Sequence, residues 1–158
     1  MQSDSDGFSL IELLIVVAII LVIAAIAIPN LLRSRIVANQ ASAVGSLRII
    51  NTAEITYSST FNRGYSPDLV SLGPPSSGSP TASAAGLIDS VLAGGVKSGY
   101  QFVYSATSTG GIYSAYQVNA DPLTVGSTGQ NYYFTDYSGV IRQNATATAT
   151  VADSPLAG

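Results

Sequence analysis

Residues 13–28 are Leu, Ile, Val and Ala without exception. Counted from Phe8, the apolar segment holds about 21 residues and as a helix would be roughly 31 Å long, about one hydrocarbon thickness. A core helix of a water-soluble domain rarely lacks a polar face over so many turns, so a bilayer is the predicted surrounding. One residue breaks the pattern. Glu12 sits near the start of the segment, where an ionised carboxylate costs about 2.5–3.5 kcal/mol even on lenient insertion scales. It must find a partner, titrate, or reach the headgroups.

The remaining sequence is of another kind. Only 9% of the 158 residues are charged while 47% are apolar, and the excess of apolar residues lies at the N-terminal end. The rest is rich in Ser, Thr, Ala, Gly and Tyr, a neutral hydroxyl-covered surface that suits an exported protein packing against copies of itself. A net charge of -3 with six scattered Lys and Arg leaves no basic face to track phosphates, which argues against nucleic acid as a partner. Cys and His are both absent. Disulfides, thiol chemistry, the commonest general base and the commonest transition-metal ligands are therefore missing, which argues against most enzymes. No Ser-His-Asp triad can be assembled and there is no Ser-x-x-Lys motif. Glu54 and Asp68 have no spacing that makes them a catalytic pair, and no segment suggests a nucleotide site or any other cofactor.

Seven residues, "MQSDSDG", precede Phe8. A secretory signal peptide would have a basic start and a small-residue cleavage site after its apolar core. Here the small residue, Gly7, comes before the core, and Ile28-Pro29-Asn30 makes a poor cleavage site after it. The stretch "GFSLIELLIVVAIILVIAAIAIPN" resembles the N-terminal segment of type IV pilins and the related pseudopilins of type II secretion systems. The resemblance rests on Gly7, Phe8, Glu12, the apolar run and Pro29. It implies that a prepilin peptidase cuts between Gly7 and Phe8 and methylates the new amino terminus of Phe8. It also implies that Glu12 pairs with the amine of a neighbouring subunit and sets axial register. Phe8 and Glu12 are four residues apart and would share a helix face, and buried ion pairs serve register better than stability. The alternative for Glu12 is to snorkel to the headgroups.

Pro29 either bends and loosens a continuous helix, as in pilins on assembly, or simply ends the membrane helix. The leader carries Asp4 and Asp6 and no base, whereas Arg33 and Arg35 stand beyond the span. Charge bias thus opposes the orientation the family adopts. Either basic residues stand upstream of this sequence or the export machinery sets the topology. Further implied partners are an inner-membrane assembly platform and its ATPase, the lipid bilayer before assembly, and identical copies afterwards. The implied location is the inner membrane with the C-terminal domain periplasmic, then an extracellular pilus.

The resemblance leaves two other readings open. One is a type II secretion pseudopilin, a short periplasmic piston. The other is a membrane-tethered periplasmic binding domain that never polymerises and would tolerate loss of Gly7.

Beyond Pro29 an amphipathic stripe continues through Ile36, Ala43, Leu47, Ile50, Tyr57 and Phe61, interrupted by Gln40 and Glu54. One helix is predicted from about Phe8 to Phe61, with Gly64 as its C-terminal cap and Pro67 just beyond. Residues 73–86, "GPPSSGSPTASAAG", read as a low-complexity loop too poor in large side chains to pack a core. "LIDSVLAGG" is predicted to hold a short helix. "YQFVYSA" and "IYSAYQVNA" alternate with period two around "TSTGG", a hairpin. "NYYFTD" and "VIRQ" form a second pair across Tyr137-Ser138-Gly139.

The predicted class is therefore α+β, a long helix on a small antiparallel sheet of about four strands. The predicted division is a leader over residues 1–7, a membrane and filament-core helix over 8–29, an amphipathic half over 30–63, and a globular sheet domain over 64–158. "GYQFVYSA", "YQVNADPLTVGSTGQNYYFTDYSGVIR" and "ADSPLAG" also resemble pilin-like domains, many of which staple the last loop with a disulfide. Without Cys, backbone pairing and packing must hold the sheet edge here.

Asp121 and Asp136, with Asn119, Asn131 and Ser138, offer oxygen atoms in loops, as some secretion pseudopilins do for Ca²⁺. Their spacing fits no EF-hand, and ordinary turn chemistry accounts for them. The nine Tyr and four Phe fall mostly in predicted strands, where packing explains them without electron conduction. Asn144-Ala-Thr is a formal glycosylation triplet of a kind that also arises by chance.

Overall fold

The computed structural model describes residues 7–156. Except for Gly7, the leader therefore lies outside the described residues. The elements in chain order are α1 (Leu10–Phe61), α2 (Leu69–Leu72), α3 (Ser90–Ala93), β1 (Val96–Lys97), β2 (Tyr100–Thr109), β3 (Ile112–Pro122), β4 (Tyr132–Asp136) and β5 (Arg142–Asn144). Two compact units are present, Met1–Arg35 and Ile36–Gly158, and α1 contributes to both.

The first unit is the apolar part of α1. The helix continues through Pro29 instead of ending there, although Pro29 has no N–H to offer the Ala25 carbonyl. Its side chains over residues 10–23 are all exposed, and by length and composition α1 is apolar enough to cross a membrane.

In the second unit a five-stranded antiparallel sheet, in the order β1-β2-β3-β4-β5, forms one layer, and the rest of α1 lies on it. The expected four strands are joined by β1, two residues long and beyond the reach of periodicity. Alternation on β2 sends Tyr100 and Phe102 inward and Gln101 and Val103 outward. These meet Tyr116, Val118 and Ala120 of β3 and the helix stripe Ala43, Leu47, Ile50 and Tyr57 in one core. Burying each large apolar side chain is worth about 1.5–3 kcal/mol, and this shared face is what fixes the strand register.

The hairpin turn is Gly110-Gly111, both with positive φ (63 and 83), as a two-residue turn of primed type requires. The register then shifts between Thr107 and Ser108, leaving Ser114 as the extra residue of a bulge.

Helix α1 does not end on Gly64. Asn62, with φ 52, takes the left-handed position, and its N–H bonds the Ser58 carbonyl. Gly64 serves another purpose: it runs beside β3 at Tyr113, so closely that a Cβ there would lie 2.2 Å from the Tyr113 carbonyl oxygen.

Residues 73–86 are tied down at their base by backbone bonds, Gly86 to Gly73 and Ala85 to Ser71, each 2.8 Å. They also bury Ala85 in the core, so the segment packs more than its composition suggests. The outer edge of β5 is paired by the C-terminal segment, through Leu156 N–H to the Ile141 carbonyl (2.8 Å) and Gln143 N–H to the Ser154 carbonyl (3.1 Å). The same segment is fixed to the sheet by Asn119 Nδ2 donating to the Ala149 carbonyl at 2.7 Å. Phe134 alternates with the inward Tyr133 and Thr135, so it faces away from α1, yet it is buried. Backbone pairing and packing thus hold this edge without a disulfide.

Candidate assembly segment

Gly7, Phe8 and Ser9 precede α1, and all three are exposed. Phe8 is 83% accessible and Gly7 is exposed beside it. Helix α1 starts at Leu10, two residues later than the sequence predicts.

The local reason is a capping arrangement. Ser9 occupies the N-cap position, where its carbonyl accepts from Leu13 N–H at 3.2 Å. The Glu12 carboxylate reaches back to accept from Ser9 N–H, also at 3.2 Å. This is the carboxylate half of a capping box, and "SLIE" has the Ser-x-x-Glu spacing that signals one. The same position places negative charge in the first helical turn, at the positive end of the helix dipole. Phe8 and Glu12 therefore do not share a helix face within one chain, because Phe8 is not yet helical. Glu12 stays exposed, as do the apolar side chains that follow it.

Chemically the segment presents an exposed Gly-Phe bond, an accessible carboxylate one turn into a helix, and an apolar surface that finds no partner among the described residues. Apolar patches this large mark sites that meet lipid or protein.

The weak cation candidates are not brought together. Asp121 pairs with Gln101 in register, and Asp136 pairs with Gln117, four residues earlier on β3 and roughly 13 Å away along the strand. Asp136 Oδ1 accepts from both Ser138 N–H (2.9 Å) and Ser138 Oγ (2.5 Å), closing its own turn. Asp121 Oδ2 accepts from Thr148 Oγ1 at 3.0 Å, while its Oδ1 is buried without a partner. Burial pushes the Asp121 carboxyl above its ordinary value, and the Thr148 hydrogen bond works against that shift. Among the described residues no group of three or more acidic side chains gathers to hold a metal.

Glu54 is where reasoning from the sequence fell short. It lies on the buried stripe and is fully inaccessible. Its Oε2 accepts from Ser66 N–H at 2.8 Å, and its Oε1 accepts from Ser66 Oγ at 2.5 Å and Tyr104 Oη at 2.7 Å. No cation joins it, and desolvation raises its pKa despite those bonds. Asp68 stands nearby in sequence but caps α2, accepting from Ser71 N–H at 2.8 Å. The only sequence signal for Glu54 was its phase on the apolar stripe. A second buried hub is Asn51, whose Oδ1 accepts from Tyr116 Oη at 2.9 Å and whose Nδ2 donates to Thr135 Oγ1 at 3.0 Å.

Comparison with known proteins bears on the N-terminal segment. The family described as "Prokaryotic N-terminal methylation motif" matches residues 3–28. The chain is also similar to the "Type IV major pilin protein PilA" of Myxococcus xanthus (strain DK1622), 46% identical over 57 residues. That match covers 36% of this chain and 26% of the relative, so the chain spans about a quarter of the curated protein it resembles. No solved structure matches the chain.

Proposed function

We propose that this chain, a member of the type IV pilin family by its N-terminal segment and so a structural subunit of pilin or pseudopilin type, polymerises into the shaft of a type IV pilus. The observation that carries the reading is the juxtaposition at the chain's start: an open Gly7–Phe8 bond, Glu12 in the first turn of α1, and an apolar helix with every large side chain exposed.

In this account prepilin peptidase cuts before Phe8 and methylates its amine. The apolar half of α1 holds the subunit in the inner membrane, with the second unit in the periplasm. An assembly platform and its ATPase then move the helix sideways into a bundle of identical helices. Apolar contacts with lipid are exchanged for similar contacts with protein, so the transfer is nearly neutral and external work can drive it. The pilus is favoured over a secretion pseudopilus because the similar relative is named a major pilin.

Glu12 supplies the register. The cap to Ser9 N–H holds the carboxylate ready in the single subunit, and the amine of a neighbouring Phe8 is a stronger partner than that one backbone group. Pro29 is the point at which α1 loosens as the subunit packs.

Two substitutions separate charge from cap. Glu12→Gln keeps an acceptor for Ser9 N–H and removes the charge, whereas Glu12→Ala removes both. Both variants should insert into membranes at the wild-type level, and both should fail to yield fibres on sheared cells. Normal fibres from Glu12→Gln would sink the register role.

A further inference from the structure

A cleft of about 500 Å³ is formed entirely by residues of the second unit, and its size falls within the usual range of ligand sites. Its walls are held in place before any ligand arrives. Tyr57 is buried, and its hydroxyl donates to the Ala82 carbonyl at 2.7 Å, which fixes the ring. Tyr65 stands edge-on against Tyr116, with centroids 4.8 Å apart and planes at 72°. Tyr113, at the start of β3, is clipped to the preceding segment by Tyr65 N–H to the Tyr113 carbonyl (2.9 Å) and Tyr113 N–H to the Arg63 carbonyl (3.4 Å). Those two bonds also fix the backbone that carries Arg63.

Arg63 is the one charged residue lining the cleft. Among the described residues the single ion pair is Lys97 with Asp89, so the Arg63 guanidinium has no carboxylate of its own. Burial raises the Tyr57 phenol and the Glu54 and Asp68 charges add to the shift, while the Arg63 charge opposes it, so the guanidinium is felt at Tyr57. The exposed hydroxyls of Thr81 and Ser83 hydrogen-bond each other at the rim, 3.2 Å apart.

This chemistry selects a ligand class. Asp68 stands behind the lining Ser71, whose hydroxyl it holds at 2.8 Å, and forms no ion pair with Arg63, so the guanidinium is left to take one carboxylate in bidentate fashion. The half-buried rings of Tyr65 and Tyr113 offer what remains open of their surface to the C–H side of a sugar, and rim hydroxyls exchange hydrogen bonds with its own. A divalent cation finds no carboxylate in the lining, and a polyphosphate finds one cation where it needs several. We propose that the cleft binds a uronic-acid residue of an acidic saccharide, with its carboxylate on Arg63 and its ring against Tyr65 and Tyr113. One chain supplies every lining residue.

The test is calorimetric titration of the full chain, held in a detergent without a sugar headgroup at about 0.15 M salt, where long-range attraction is screened. The probes are trigalacturonate, neutral maltotriose and inorganic phosphate. Trigalacturonate should bind saturably, with maltotriose and phosphate each weaker by about tenfold or more. Arg63→Gln, at an exposed position, should bring trigalacturonate down to the level of maltotriose with the melting temperature unchanged. Tyr113→Ser should weaken both sugars. Absence of trigalacturonate binding overturns the proposal. So does equal binding of phosphate or maltotriose, or wild-type affinity in either variant.

Discussion

At the scale of single residues, two glutamates on one helix meet opposite environments. Glu12 is exposed and bonded to one backbone N–H. Glu54 is sealed among three donors, with no cation. Removing a carboxylate from water is costly, and hydrogen bonds recover only part of the loss, so the folded state holds the Glu54 proton more tightly than the unfolded chain does. The sign follows from linkage: where the native state binds more protons, stability falls as pH rises. The stabilising share of Glu54 is complete below its ordinary value of 4.5 and is lost as pH climbs through its raised folded value. Asp89 and Asp153 are shifted down by their hydrogen-bond donors and give the opposite slope, while Asp121 is raised by burial like Glu54. The useful quantity is therefore a difference. Urea unfolding of the wild type and of Glu54→Gln, repeated from pH 4 upward, should show the wild type losing stability relative to the variant. A constant gap across that range would mean that Glu54 keeps an ordinary pKa.

At the scale of elements, the second unit depends on close backbone approaches as well as on its core. Gly64 has φ +75 and faces the Tyr113 carbonyl, so Gly64→Ala adds both a strained conformation and a clash. That substitution should cost at least about 1–3 kcal/mol in thermal or urea unfolding, and wild-type stability would show that the segment is free to move off β3. Such approaches also explain what could be read in advance. The apolar run of α1, its stripe from Ile36 onward and the alternation of β2 and β3 all declare themselves over many residues, because periodicity accumulates. The four-residue α2 and the two-residue β1 do not, since nothing repeats within them. The choice of Asn62 over Gly64 as the helix cap was open because both residues tolerate positive φ. Only the approach of β3 decides it, and β3 lies some fifty residues away in sequence. Glu54 was hidden for the same reason, with partners 12 and 50 positions off. The Ser9–Glu12 cap was local and legible, but the family motif offered another role for the same carboxylate.

At the scale of the whole molecule, the two units differ in what they bury. Among the described residues the buried core lies wholly in the second unit, so a fragment comprising residues 36–158 should be soluble and unfold cooperatively when followed by circular dichroism. A molten or aggregated fragment would show that the apolar half of α1 is needed for folding. Among the described residues the first unit buries none of its large side chains, and the proposal assigns them to lipid first and to neighbouring helices later. In the proposed filament, head-to-tail contacts between such helices do not close on themselves, so repetition gives an open fibre. The most direct test is mass spectrometry of the N-terminal peptide from fibres sheared off cells that carry this chain and its export apparatus. The account predicts that the fibres contain this chain and that its first residue is a methylated Phe8. Fibres lacking the chain, or a mature polypeptide that stays single in the membrane with Gly7 still attached, would contradict it.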